Sequence, residues 1–236
     1  PHPDRIIPLG ITWLSDPDPG AAEVRRNAER GFRAVTLPER PHKIGYPSIF
    51  DDYWAPILEA CTETGTVVCL HVGSSGIGDI PPGCDRAIGP LVATLFGQLS
   101  LQACTEWLWA GWTVRFPGLR VAMAEGGIGW VAMLADRLDN LVDRSGYGLG
   151  WDDRPADVLR RNFWFCTIDD PSTLAARHRV GVDHILVECD YPHADSSWPH
   201  TASLLADRFA TVGGTDDEAA AMTHRNAAVR FDHQLP

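Results

Sequence analysis

The chain has 236 residues, 44% hydrophobic and 22% charged, with a formal net charge of −11. That length suits one large domain over residues 1–236, and the composition excludes a disordered chain. The negative balance argues against nucleic acid and anionic membrane as partners, and leaves a small-molecule substrate open.

No run of about 18 apolar residues is free of polar breaks, so no membrane-spanning helix is expected. The opening "PHPDRIIPLG" has Pro, Asp and Arg where a signal peptide would carry its apolar core. Cys61, Cys69, Cys84, Cys104, Cys166 and Cys189 form no C-x-x-C pair, and most lie in apolar runs. They read as buried thiols in a reducing cytoplasm, with no disulfide framework or zinc ribbon.

The elements alternate. Residues 5–12 read as a short strand. Ala21, Val24, Ala28 and Gly31 then fall at helical steps. Residues 32–39 are rich in β-formers. A helix follows around Trp54, Ile57, Leu58 and Cys61, ending at Gly65. "TVVCLHV" (66–72) is a nearly pure apolar strand, and residues 74–89 are a Gly- and Pro-marked loop. One or two helices cover about residues 90–115 and carry Trp107, Trp109 and Trp112.

"LRVAMAE" (119–125) is the next strand, followed by an amphipathic helix in residues 128–144. "NFWFCTI" (162–168) and "HILVEC" (184–189) complete a set of six strands. Between them, Asp170 reads as an N-cap with Pro171 at the first helical position. Two helices close the chain. The last opens on Thr215 with Glu218 three residues later, a capping-box pattern.

Apolar strands alternating with helices imply a parallel sheet covered on both faces. No early strand end offers a phosphate-binding glycine motif, which disfavours a nucleotide-binding open sheet. The strand ends offer titratable groups instead: Glu39, His71, Glu125, the pair Asp169-Asp170, and Asp190. In a parallel α/β fold these ends share one height, so His71, Glu125 and Asp190 are expected to converge.

Each has an ordinary structural alternative. His71 fits a satisfied core histidine, and Glu125 fits a charge at the N-terminus of the next helix. Asp190 fits a turn acid, Glu39 a loop residue, and Trp130 core packing. Together an imidazole and carboxylates suit a divalent metal: Zn²⁺ first, with Mn²⁺ or Mg²⁺ as alternatives. Glu188 shares the strand parity of Asp190, so it should face the interior and needs a partner there.

The segments "LHVGSS" (70–75), "RFPGLRVAMAEGGIGWVAMLADRLD" (115–139), "VECDYPHADSSWPHT" (187–201) and "THRNAAVRF" (223–231) resemble the amidohydrolase-related family. The similarity is to the branch that holds aminocarboxymuconate-semialdehyde decarboxylase-like enzymes. It spans essentially the whole chain. It implies a (β/α)8 barrel with a metal at its mouth, so two strands beyond the six are wanted.

The resemblance implies His71 and Asp190 as metal ligands, with Asp190 also handling the proton of a bound water. Glu125 stands where many members carry a histidine, which puts the substrate class in doubt. His193, Tyr191 and Trp198 are the candidate substrate contacts. The family's H-x-H or related pair on the first strand has no counterpart here, so the metal site is expected to be incomplete.

The expected activity is metal-dependent hydrolysis of a small organic substrate, with Asp190 as base and Glu125 as a second catalytic acid or base. Non-oxidative decarboxylation of a carboxylated or aromatic substrate is the alternative reaction. A non-catalytic relic or interaction module is the alternative class. A homo-oligomer is the one macromolecular assembly kept open.

Overall fold

A computed structural model describes residues 3–167, 171–194 and 196–234. Its framework is one sheet of six parallel strands. These are β1 (Leu9–Ile11), β2 (Ala34–Leu37), β3 (Val67–His71), β4 (Val121–Ala124), β5 (Phe163–Thr167) and β6 (Ile185–Val187). Each strand pairs with the next, in the order β1-β2-β3-β4-β5-β6. A doubly wound sheet reverses direction partway, whereas this order is that of a strand-helix barrel wall. The barrel-type reading and its six strands are therefore observed, and among the described residues β1 and β6 are the open edges.

Helices return the chain between strands. α1 (Pro17–Glu29) follows β1, and α2 (Ala55–Thr64) follows β2. α3 (Ile88–Thr94), α4 (Phe96–Trp109) and α5 (Trp112–Arg115) link β3 to β4. α6 (Val131–Ser145) and α7 (Pro155–Asn162) lead into β5, and α8 (Pro171–Leu174) and α9 (Arg177–Val180) into β6. α10 (Thr201–Thr211), α11 (Asp216–Ala220) and α12 (Asn226–Arg230) close the chain, with a π-helical turn at 221–225.

Local chemistry sets the ends. Asp16 caps α1 by accepting from the Asp18 N–H, with Pro17 at the first helical position. Gly65 ends α2 at φ 66°, a conformation that suits glycine. The capping box of Thr215 and Glu218 is present in full. Pro171 opens α8 as expected, while the cap assigned to Asp170, and Asp169 beside it, lie outside the described residues.

The strands alternate between two apolar layers, as a period of two requires. Val35, Leu37, Val68, Leu70, Val121, Met123, Phe163, Phe165 and Ile185 face outward into one large core. Ile57, Leu58, Trp107, Leu108, Leu134 and Leu159 of the helices cover them. The inner face holds a much smaller cluster: Val67, Ala122, Trp164 and Leu186, flanked by Cys69 and Cys166.

Ala227 and Phe231 pack against that inner cluster. The Arg230 guanidinium lies 3.4 Å over the Trp164 ring, and burial lowers its pKa to about 10. The Asn226 amide donates to the carbonyls of Val182 and Ile185 at the start of β6. The C-terminal segment thus plugs the end where the strands begin and leaves the other end open.

Two expectations need correction. The first strand is three residues long, not eight, because Pro3–Arg5 coil into a 3-10 turn and Pro8 has no N–H for a ladder. The short helix α7, opened by Pro155, went unread because eight residues give too few turns for a clear period. No helix among the described residues is long and apolar enough to cross a membrane.

Candidate metal and proton-transfer site

The open end of the sheet gathers the strand-end residues. His71 is the last residue of β3, and Glu125 is the first after β4. Their ladder neighbours, His71 and Ala124, pair directly, so the two side chains start from adjacent positions. His71 Nε2 lies 2.7 Å from Glu125 Oε2. The other ring nitrogen, Nδ1, lies 2.7 Å from the Val72 carbonyl oxygen. A carbonyl can only accept, so Nδ1 carries a proton and Nε2 is the nitrogen turned to the acid. The His71 ring is 55% exposed, whereas Glu125 is 5% exposed. The core-histidine alternative does not hold.

Glu125 is not the helix charge the sequence also allowed. α6 begins only at Val131, beyond the reach of a first-turn dipole effect. Instead its backbone turns at φ 62°, in the left-handed region that non-glycine residues rarely occupy. Asp190 does the same at φ 54°. Such conformations cost about 1–3 kcal/mol and cluster at functional sites. Gly126 lets this turn form, since a Cβ there would collide with Ser100 on α4.

Asp190 begins the turn that leaves β6. The His193 N–H donates to the Asp190 carbonyl at 2.8 Å, so the turn-acid reading is also true. His193 Nδ1 lies 3.3 Å from Asp190 Oδ2. That approach is off the hydrogen-bond direction, because Oδ2 is buried and has no hydrogen-bond partner. Ligand atoms of Glu125, Asp190 and His193 all lie within 4.8 Å of one another. The sequence pointed to His71 and Asp190 as ligands. The structure adds Glu125 and His193 to the set, and places His71 against Glu125.

These residues fit a divalent cation. Two carboxylates and an imidazole are a hard-to-borderline donor set. Asp190 Oδ2 is buried and accepts no hydrogen bond, and its one ion-pair neighbour is the His193 ring of the same donor set, which leaves the oxygen free to bind a cation.

Glu188 has the interior partner it required. Its Oε1 accepts the Glu125 backbone N–H at 2.6 Å, and the Cys166 thiol bonds to the same carboxyl. Burial pushes the Glu188 pKa up to about 7, the Glu125 N–H pulls it down, and the Glu125 charge raises it further. Burial and the Glu188 charge likewise raise the Cys166 thiol well above its usual range.

Glu39 lies in the bend after β2, as the loop reading has it, yet it is buried. It is 1% exposed, at the end of β2, and burial raises its carboxyl pKa against the lowering effect of the Gly73 N–H. Glu39 Oε1 accepts from Gly73, its N–H reaches Ser74 Oγ, and its carbonyl accepts from Trp107 Nε1. These bonds tie β2 to the loop that follows His71. The strand-end rule that picked out His71 picked out Glu39 as well.

Around the mouth, Ser196 Oγ donates to the Cys189 carbonyl at 2.6 Å and folds the loop back. This brings the Tyr191 and Trp198 rings to 4.9 Å at 58°, both largely exposed. Trp130 packs in the core, edge-on to Phe165, as expected. A cleft of about 700 Å³ flanks the site along β6, lined by Glu188, Cys189, Leu205 and Phe209 among others.

Comparison with known proteins bears on the family and the fold. The sequence profile of the amidohydrolase family matches residues 1–231. An amidohydrolase structure from Mycobacterium avium subsp. paratuberculosis superposes with a TM-score of 0.76 at 25% identity, covering 96% of this chain and 58% of that one. The 5-carboxyvanillate decarboxylase of Sphingomonas paucimobilis gives 0.73 at 19% identity, covering 95% and 66%. A dihydroxybenzoic acid decarboxylase from Polaromonas, with bound manganese, gives 0.69 at 18% identity, covering 93% and 67%. The chain thus spans 58% and 66% of the length of the first two. No curated protein sequence matches.

Proposed function

The chain belongs to the amidohydrolase family, and from that premise we propose a metal-dependent enzyme of the cytoplasm that hydrolyses a small organic substrate. One observation carries the reading: the Oδ2 of Asp190, buried and accepting no hydrogen bond, beside donor atoms of Glu125 and His193. Zn²⁺ and Mn²⁺ both suit this set, and the manganese in one solved relative favours trying Mn²⁺ early. Bound there, such an ion would acidify a water and polarise a substrate carbonyl. The six free cysteines fit a reducing compartment.

The chain's own residues supply the proton handling. Asp190 is placed to accept a proton from the attacking water, acting as general base. The contact between His71 Nε2 and Glu125 Oε2 needs a proton between them. That proton is available to a leaving group. Val72 fixes the His71 tautomer through Nδ1, so Nε2 stays directed at the reaction. Tyr191 and Trp198 offer flat apolar surface at the rim for orienting a substrate.

A second reading, decarboxylation, draws on that aromatic pair and on the decarboxylases among the solved relatives. A divalent cation held by Glu125, Asp190 and His193 would offset the charge of the two carboxylates, so an anionic substrate is compatible with the same site and the reaction itself has to be measured. Incubation of the Mn²⁺-loaded protein in ¹⁸O-water with ester, lactone and hydroxybenzoate probes separates the two. Label in the product is the expected result. Evolution of CO₂ without label would replace hydrolysis by decarboxylation.

A further inference from the structure

Glu125 leaves β4 in a left-handed turn, and this directs its backbone N–H into the interior of the sheet's concave face. A buried N–H needs an acceptor, because leaving it unpaired forfeits its solvation with nothing in return. The ladder cannot provide one. The pairing of β4 with β5 ends at Met123 and Phe165, and the chain departs from the sheet at Glu125.

The acceptor comes from two strands away. Glu188 follows β6 directly, and its own N–H is held by the Thr167 carbonyl of β5. Its side chain spans to Glu125 and meets the N–H at 2.6 Å, the short distance of a charge-assisted bond. The Cys166 thiol on β5 supports the same carboxyl from beside it.

We infer that Glu188 is a positioning residue: it holds the Glu125 turn, and through it the carboxylate that meets His71 and joins Asp190 and His193. Several geometric facts converge on this. The turn at Glu125 is one a glutamate does not adopt by preference. The hydrogen bond fixes the residue at the atom where that turn starts. The Glu125 side chain then reaches His71 Nε2 at 2.7 Å with little exposure. Glu188 does not itself belong to the donor set, so it acts through Glu125. Partners of this kind orient the groups that hold a metal, and their loss weakens affinity.

The inference rests on the proposed metal site for its functional consequence, and its structural part can be read without metal. The test compares Glu188→Met, which keeps side-chain length without an oxygen acceptor, with Glu188→Gln, whose carbonyl still accepts. Circular dichroism first establishes that each is folded. If Glu188→Met does not fold, Glu188→Leu replaces it.

Two measurements follow: hydrogen exchange at the Glu125 amide in the metal-free protein, and calorimetric titration with Mn²⁺. In Glu188→Met the Glu125 amide should lose its protection, and Mn²⁺ affinity should fall about 10–100-fold. Glu188→Gln should restore both. An unchanged Glu125 amide in Glu188→Met, or a Gln variant as impaired as Met, overturns the inference. A wild-type protein that binds no Mn²⁺ or Zn²⁺ overturns the metal reading instead, while the amide measurement still decides the role of Glu188.

Discussion

β4 and β1 belong to the same sheet and look alike in sequence, yet they live in different surroundings. In β4, Val121, Ala122 and Met123 are all buried, with the large helical core on one side and the inner cluster on the other. In β1, only Gly10 is buried, while Leu9 is 48% and Ile11 77% exposed. Trp13, just beyond, is also open to solvent. Strand-end chemistry follows the same division. Glu39, His71, Glu125, Glu188 and Asp190 sit at the ends of β2, β3, β4 and β6, and none on β1. An apolar run therefore identifies a strand without telling whether both its faces are covered. The site is built on the covered strands.

The sharpest way to break this comparison is to remove core volume behind the site. Phe165 on β5 is fully buried and edge-on to Trp130. Phe165→Ala should cost about 3–5 kcal/mol in urea denaturation, the range for emptying a packed aromatic position. A loss no larger than that of an exposed position would mean that the outer layer is not the load of this fold.

What the sequence disclosed follows the same division. The six strands were legible because parallel strands covered on both sides are continuous apolar runs. His71, Glu125 and Asp190 were legible because each interrupts such a run abruptly. The exposure of β1 was not, since Leu9 and Ile11 read like any strand residues, and the inner cluster draws only on β3 to β6. Glu39 looked like a loop acid because its burial depends on Trp107, 68 residues away. The joining of Glu125 to Glu188 depends on a turn at φ 62° that no residue type in "AEGGIG" announces. The family resemblance pointed to Asp190 and His71 as ligands and the strand ends brought Glu125 to the same place, while His193, read as a substrate contact, joined the donor set only through the turn that follows Asp190.

The next effect concerns the mouth. Asp190→Asn keeps the shape of the side chain and removes its charge. Calorimetric titration with Mn²⁺ should show a loss of affinity beyond the roughly 100-fold that outer partners cost. The melting temperature of the metal-free protein should change little, because Oδ2 accepts no hydrogen bond and its ion-pair contact is with the largely exposed His193 ring. Metal binding as tight as in the wild type would remove Asp190 from the donor set.

Glu188 gives a pH signature in the metal-free protein. Its folded pKa, about 7, lies above the ordinary value of 4.5. The folded state then binds the proton more tightly than the unfolded chain does. The contribution is fully present below about pH 4.5 and is lost as pH rises through about 7. At about 1.4 kcal/mol per unit the change is at most roughly 3.5 kcal/mol, and coupling to Glu125 reduces it. Urea denaturation of wild type and Glu188→Gln at pH 5 and pH 8 provides the check. The wild type should lose stability relative to the variant on going to pH 8. Parallel behaviour of the two proteins would show that Glu188 titrates as it does in the unfolded chain.

The smallest effect is expected at the edge, and it tests the other half of the comparison. Ile11 pairs with Thr36 on β2 through its backbone, and a side-chain change leaves that pairing in place. Its side chain faces solvent, so Ile11→Ser removes little buried apolar area. The change in unfolding free energy should stay within about 0.5 kcal/mol, and the Mn²⁺ affinity should not move. A cost of several kcal/mol in solution would show that this strand is covered by something besides the described residues. A second copy of the chain would reveal itself by a concentration-dependent melting temperature. Ile11→Ser would abolish that dependence, and β1 would then be a covered strand like β4.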